Sequence, residues 1–146
     1  FEHYEISNFA KPGYYSRHNS SYWKNVPYIG IGPSAHSYNG ISRKWNISSN
    51  PACIIAINKN EIPSEEEILT KENRYNEYLM TGLRTKWGID VNYIHKHFGN
   101  TYGTDFLMQI HPFVESGDVV IEGTNYTLSE KGKLIADRIA TNAFVV

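Results

Sequence analysis

Apolar positions keep a helical period through the second half of this chain and an irregular one through the first. Between Glu65 and Arg84, Ile68, Tyr75, Leu79 and Leu83 recur at helical spacing with charge between them, which predicts one long helix. Asp90 is a good N-cap for a short helix over Val91 to Phe98, and Gly99 stops it. Thr104 is placed to cap a third helix carrying Phe106, Leu107, Ile110, Phe113 and Val114. Pro112 lies inside that segment, removes the bond to Met108 and predicts a kink. Val119-Val120-Ile121-Glu122, the turn Gly123-Thr124-Asn125 and Tyr126-Thr127-Leu128 read as a β-hairpin. Ser129 then caps a closing helix whose apolar positions are Leu134, Ile135, Ile139, Ala140 and Phe144. Three helices, a hairpin and a closing helix predict a helical, winged-helix-like domain over residues 65–146.

The first sixty residues give weaker periodic signals. Tyr4-Glu5-Ile6-Ser7-Asn8 alternates like a strand until Lys11-Pro12-Gly13 breaks it. Tyr28, Ile29 and Ile31 predict the end of a buried strand. The Gly30-x-Gly32-Pro33 turn would then lie at its carboxyl end, where α/β folds place ligands. Ser42 to Asn46 predicts a short strand, and Asn50 to Asn58 a short helix with Pro51 at its start. Such a loop-rich segment has open edges and too few core positions, so it is expected to lean on residues 65–146 or on a second copy in a homodimer.

Charge marks the same break. Residues 1–60 hold 8 of the 29 Asp, Glu, Lys and Arg side chains, which places a boundary near Glu61-Ile62-Pro63-Ser64 and gives segments of 1–60 and 65–146. The formal net charge of −1 provides no strong field for nucleic acid or an anionic membrane. No apolar run approaches the ~20 residues that span a bilayer, so a soluble, cytoplasmic protein is expected. The single cysteine, Cys53, excludes an internal disulfide framework and reads as a small buried hydrophobe. One thiol also falls short of the several that an iron–sulfur cluster requires.

Chemistry-bearing residues concentrate between Arg17 and Tyr38, where two histidines, an asparagine, several aromatics and two closely spaced glycines fall together. His18 and Asn19 can either serve a ligand or satisfy backbone groups of a loop. Glu5, expected to point inward, needs a donor: a cofactor group, or a partner such as Arg17 or Lys11. His95, His97 and His111 read as solvated or core-edge residues. Two positions apart on a helix, His95 and His97 cannot share a metal.

His18-Asn19-x-x-Tyr22-Trp23 followed by Gly30-x-Gly32-Pro33-Ser34-Ala35-His36-Ser37 closely resembles the oxygen-independent coproporphyrinogen III oxidase family, and most of all its HemW-like branch of haem chaperones. Tyr4-Glu5-Ile6-Ser7-Asn8-Phe9-Ala10-Lys11-Pro12-Gly13 and Tyr126-x-Leu128-Ser129-x-x-Gly132 extend the resemblance over nearly the whole chain. It implies an α+β fold in which residues 1–60 supply the last strands of an incomplete radical S-adenosylmethionine (β/α) barrel and 65–146 a cap. It implies a [4Fe–4S] cluster, S-adenosylmethionine and haem or a porphyrinogen in a longer protein, together with a haem-acceptor protein. His18 would ligate haem iron, with Asn19, Tyr22 and Trp23 around the ring. Gly30, Gly32, Ser34, Ala35 and His36 would lie beside S-adenosylmethionine. The family's C-x-x-x-C-x-x-C motif does not occur here. The chain is therefore expected to be a C-terminal piece that holds no cofactor firmly and lacks activity without the N-terminal half. Two rival readings stand beside the chaperone. One is a true coproporphyrinogen III dehydrogenase, against which His36 argues because oxidases proper tend to carry an apolar residue there. The other is a winged-helix nucleic-acid binder, against which the lack of Lys or Arg in 104–116 and in the hairpin argues.

Overall fold

Tyr75, Leu79 and Leu83 line one face of a helix and are almost fully buried, and the larger part of the chain is assembled around them. In the computed structural model, which describes residues 1–145, the chain divides into two compact units. One comprises Phe1–Lys24 with Lys71–Val146, the other Asn25–Thr70.

The first unit opens with β1 (Glu2–Glu5) and β2 (Asn8–Ala10), paired antiparallel with His3 opposite Phe9, and continues through α1 (Arg17–Trp23). The Tyr4–Asn8 stretch is therefore a hairpin and not one strand: the chain reverses at Ile6 and Ser7, where Glu5 accepts the Ser7 amide. In the second unit lie β3 (His36–Tyr38), β4 (Ser42–Asn46), α2 (Asn50–Asn58) and β5 (Ser64–Ile68), the strands in spatial order β3-β4-β5. The first unit resumes with α3 (Lys71–Leu83), β6 (Ile89–Asp90), α4 (Val91–Phe98) and α5 (Asn100–Glu115). It ends with β7 (Val119–Glu122), β8 (Asn125–Leu128), a 3-10 turn (Gly132–Ile135) and α6 (Ala136–Asn142).

Ser49 and Asp90 cap α2 and α4 through their side chains, and Pro51 sits in the first turn of α2 as its fixed φ favours. The long helix expected from Glu65 starts only at Lys71. Ser64–Ile68 is instead an edge strand, because Glu66 and Glu67 lie opposite Lys44 and Arg43 of β4 and opposite charges attract across a strand pair. Ile68 is consequently 75% exposed and not a core residue. The expected linker at 61–64 runs directly into this strand, inside the second unit.

Gly99 ends α4 with φ of 95° and starts α5 at once, five residues before the expected Thr104 cap. A left-handed residue lets two helices abut there without a connecting loop. Pro112 does lie within α5. The β7–β8 hairpin forms, but Asn125, expected in the turn, lies in β8 opposite Glu122 and leaves Gly123-Thr124 as the turn. β8 also pairs with β6, a strand that sequence periodicity did not show because it is two residues long. Ser129 Oγ accepts the Gly132 amide as an N-cap would, but the turn it caps is 3-10, and Leu134 on it is 85% exposed. The core of the first unit joins Tyr75, Leu79 and Leu83 to Ile89, Ile94, Phe98, Phe106, Ile110 and Ile139.

Candidate functional site

Ser16 begins α1 by accepting the Asn19 amide at 3.2 Å, and the Lys24 amide closes it on the Ser20 carbonyl at 3.1 Å. His18 and Tyr22, four residues apart, share one exposed face and meet edge to face with ring centroids 4.9 Å apart. The His18 imidazole makes no hydrogen bond among the described residues, so a ring nitrogen is available to a metal. Asn19, half-buried, contributes its backbone to the cap.

Trp23 does not share that face. It turns inward and packs edge-on against the buried Tyr4 at 5.8 Å. Tyr4 also meets Tyr15 at 4.9 Å and Trp87 at 6.4 Å, so four aromatics close one end of the first unit. Lys24 lies over the Trp87 ring at 4.5 Å and Lys86 over Tyr15 at 4.6 Å. Lys86 Nζ donates to Glu2 at 2.8 Å and to the Tyr15 hydroxyl, which itself donates to Glu2. These bonds favour charged forms: the Glu2 carboxyl is held below its ordinary value, chiefly by Lys86, and the Lys86 ammonium is held above its own, chiefly by Glu2. Sequence reading missed the contribution of Thr85-Lys86-Trp87. Its signal was a tryptophan between a helix end and a glycine, which periodicity ignores.

Glu5 is buried and fully engaged. Its Oε2 accepts the Ser7 amide at 2.9 Å and Asn8 Nδ2 at 2.5 Å, and its Oε1 accepts Arg84 Nε at 3.2 Å. Neither Arg17 nor Lys11 is the partner. Arg84 also donates to Asp137 at 2.8 Å. With every oxygen taken from within the fold, Glu5 has a structural role.

The Gly30–Ser37 loop belongs to the second unit, where Tyr28 and Tyr38 exchange both backbone bonds at 2.9 Å and close its neck. Tyr28 is thus bridged to Tyr38 and not part of a strand, while Ile29 and Ile31 are 85% and 92% exposed. The buried strand end expected here does not form. Gly30 is needed for close approach, since a Cβ on it would stand 2.1 Å from the His36 carbonyl oxygen. Its amide is held by Ser37 Oγ at 2.9 Å. Ser34 adopts a φ of 58°, rare for a residue with a side chain, and its amide donates to the Ile47 carbonyl. Ala35 lies between them, its amide on the Gly32 carbonyl at 3.3 Å, and Asn46 Nδ2 donates to that same carbonyl at 2.8 Å. His36 is exposed and faces Trp45 across the strand pair at 6.4 Å.

No group of three or more His, Cys, Asp or Glu capable of holding a metal ion occurs among the described residues. Cys53 is half-buried on α2, not enclosed, because that short helix covers no core. His97 stacks on Tyr93 at 4.1 Å, His95 bonds Asn100 and His111 pairs with Glu115, each as a local surface contact. No described helix is long and apolar enough to cross a membrane.

Residues 69–135 match the HemN C-terminal domain family. The chain is 31% identical over 137 residues to the haem chaperone HemW of Bacillus subtilis, a match covering 93% of this chain and 36% of that protein. It is 30% identical over 132 residues to the haem chaperone HemW of Lactococcus lactis, covering 90% of this chain and 35% of the relative. The chain thus spans about a third of the length of the curated relatives it matches. Among solved structures, its fold is similar to that of the coproporphyrinogen III oxidase HemN from Escherichia coli, a radical SAM enzyme. That similarity has a TM-score of 0.64 at 15% identity and covers 98% of this chain and 37% of the other.

Proposed function

We propose that this chain, which carries a HemN C-terminal domain over 69–135, works as the C-terminal portion of a HemW-type haem chaperone. His18 would hold the haem iron through its imidazole. The observation that carries the reading is the His18 imidazole itself: exposed, without a hydrogen-bonded partner among the described residues, and backed edge-on by Tyr22 on the same helical face. The imidazole would supply a ligand to the iron, and Tyr22 would limit how the imidazole rotates. Trp23 supports the helix from behind through Tyr4 and leaves the haem face to the other two.

Cys53 alone does not suit a [4Fe–4S] cluster, so in this reading the cluster's thiolates come from polypeptide outside the 146 residues. Gly30, Gly32, Ser34, Ala35 and His36 would then lie beside S-adenosylmethionine, in a loop that Gly30 closes by packing against the His36 backbone. The exposed apolar side chains of the second unit support a role as an incomplete barrel segment covered by further polypeptide. Ile54, Ile55 and Ile57 on α2 are all more than half exposed, and a helix apolar on every side is normally buried. The helical part of the first unit, from Lys71 onward, serves as the winged-helix-like cap, six residues later than the expected start at 65. A nucleic-acid role is disfavoured by α5, which bears Asp105 and Glu115 but neither Lys nor Arg.

Haem titration of the full-length protein, with wild-type and His18→Ala forms compared by absorption spectrum, tests the reading. Loss of axial ligation in His18→Ala with the fold intact is the expected result. An unchanged spectrum and affinity would overturn the assignment of His18. If His36→Ala abolished them instead, the ligand would be the other histidine.

A further inference from the structure

His3, on β1, is held on three sides. Its ring stacks on Phe9 of β2 at 4.1 Å, and its Nε2 lies 2.8 Å from the Ile6 carbonyl oxygen. Its Nδ1 lies 3.3 Å from Lys133 Nζ and 3.8 Å from Glu130 Oε2. Lys133, on the 3-10 turn, also donates to Glu130 Oε1 at 2.6 Å. Both His3 and Lys133 are largely enclosed, with side chains 22% and 18% exposed.

The partners dictate the proton. A carbonyl oxygen only accepts, so Nε2 must carry hydrogen; an ammonium only donates, so Nδ1 must be bare. The neutral Nε2–H tautomer is therefore the form this geometry accepts. A second proton, arriving at Nδ1, would set donor against donor and place two cations 3.3 Å apart. Glu130 is the nearby group that would receive the new N–H. The other carboxylates of β1 are committed elsewhere, Glu2 to Lys86 and Tyr15, and Glu5 to Arg84, Ser7 and Asn8.

We infer that His3, Lys133 and Glu130 form an acid-sensitive latch between the N-terminal hairpin and the 3-10 turn before α6. In the neutral state Lys133 donates to His3. On protonation His3 donates to Glu130 and Lys133 swings off. This latch does not depend on haem or on His18.

Two-bond proton–nitrogen correlation spectra of the full chain at about pH 8 should show His3 as the Nε2–H tautomer. In the same spectra Lys133→Met should move the His3 Nδ1 resonance toward that of an unbonded ring nitrogen while Lys133→Arg stays near wild type. Amide exchange across the His3–Phe9 strand pair, corrected for the intrinsic effect of pH, should quicken on acidification in the wild type but not in His3→Gln. An Nδ1–H tautomer, a mixture of the two tautomers, an Nδ1 resonance unmoved in Lys133→Met, or strand-pair exchange equally insensitive to acid in wild type and His3→Gln would overturn the latch.

Discussion

Arg84 Nε lies 3.2 Å from Glu5 Oε1, although 79 positions separate the two in the chain. The pair ties the first hairpin to the end of α3. The Ile6 amide bonded to the Arg84 carbonyl and the Lys86 amide bonded to the Tyr4 carbonyl complete that seam. Glu5 is buried, so losing its cation leaves a carboxylate with only two neutral donors. Arg84→Met should cost about 2–3 kcal/mol in urea unfolding. Asp137→Asn, which removes the exposed partner of the same guanidinium, should cost no more than about 1 kcal/mol. Equal losses from the two variants would show that the Glu5 contact has no special weight.

Tyr75 is fully buried and its hydroxyl has no hydrogen-bond partner among the described residues. Tyr75→Phe should therefore leave stability unchanged or raise it by up to about 1 kcal/mol. Tyr75→Ala should lose about 3–5 kcal/mol through the cavity it leaves. A clear loss in the phenylalanine variant would mean that the hydroxyl is satisfied, for instance by an enclosed water.

Burial pushes the Tyr75 phenol upward, and it pushes Tyr78 up to about 12. Both groups favour the neutral form in the folded state, so the unfolded chain loses these protons first. Their contribution is fully present below the ordinary tyrosine pKa of about 10 and is lost as pH rises from there through about 12. Thermal melts across that window should fall steeply for the wild type and less steeply for Tyr78→Phe. Parallel curves would place the alkaline transition elsewhere.

Trp23 and His18 should separate in their effects. Trp23→Ala removes the contact with Tyr4 and should destabilise the first unit by about 2–4 kcal/mol. His18→Ala, on the exposed face, should stay within about 0.5 kcal/mol. Chemical denaturation of the two variants checks this directly. A stable Trp23→Ala protein would return that indole to the ligand face expected from the motif.

Legibility in the sequence followed the reach of each interaction. Asp90, Gly99 and the Val119–Leu128 hairpin were readable because caps and tight turns act over a few residues. Glu65–Ile68 was misread because its state is decided by Arg43 and Lys44 across a strand pair, a contact that local periodicity does not contain. The motif from His18 to Trp23 was legible as a cluster of chemistry but was read as loop, not as the helix it forms. Its division into a His18–Tyr22 face and an inward Trp23 depended on Tyr4, which lies well upstream. Glu5 was correctly read as buried and in need of a donor, but the donor lay far along the chain.

Gly30 and Gly32 should fail for different reasons when given a side chain. Gly30 has the His36 backbone against it, where an added Cβ would stand 2.1 Å from the carbonyl oxygen, and backbone cannot swing aside as a flexible side chain does. Gly32 has open space around it but a φ of 96°, so alanine there meets strain and no clash. Gly30→Ala should spring the loop and expose the paired Tyr28 and Tyr38 amides that close its neck. Gly32→Ala should cost about 1 kcal/mol and leave those amides protected. Hydrogen exchange at Tyr28 and Tyr38 distinguishes the cases, with at least tenfold faster exchange expected in Gly30→Ala, equivalent to about 1.4 kcal/mol of local opening. Equal protection in both variants would mean that the neck holds independently of the Gly30–His36 approach.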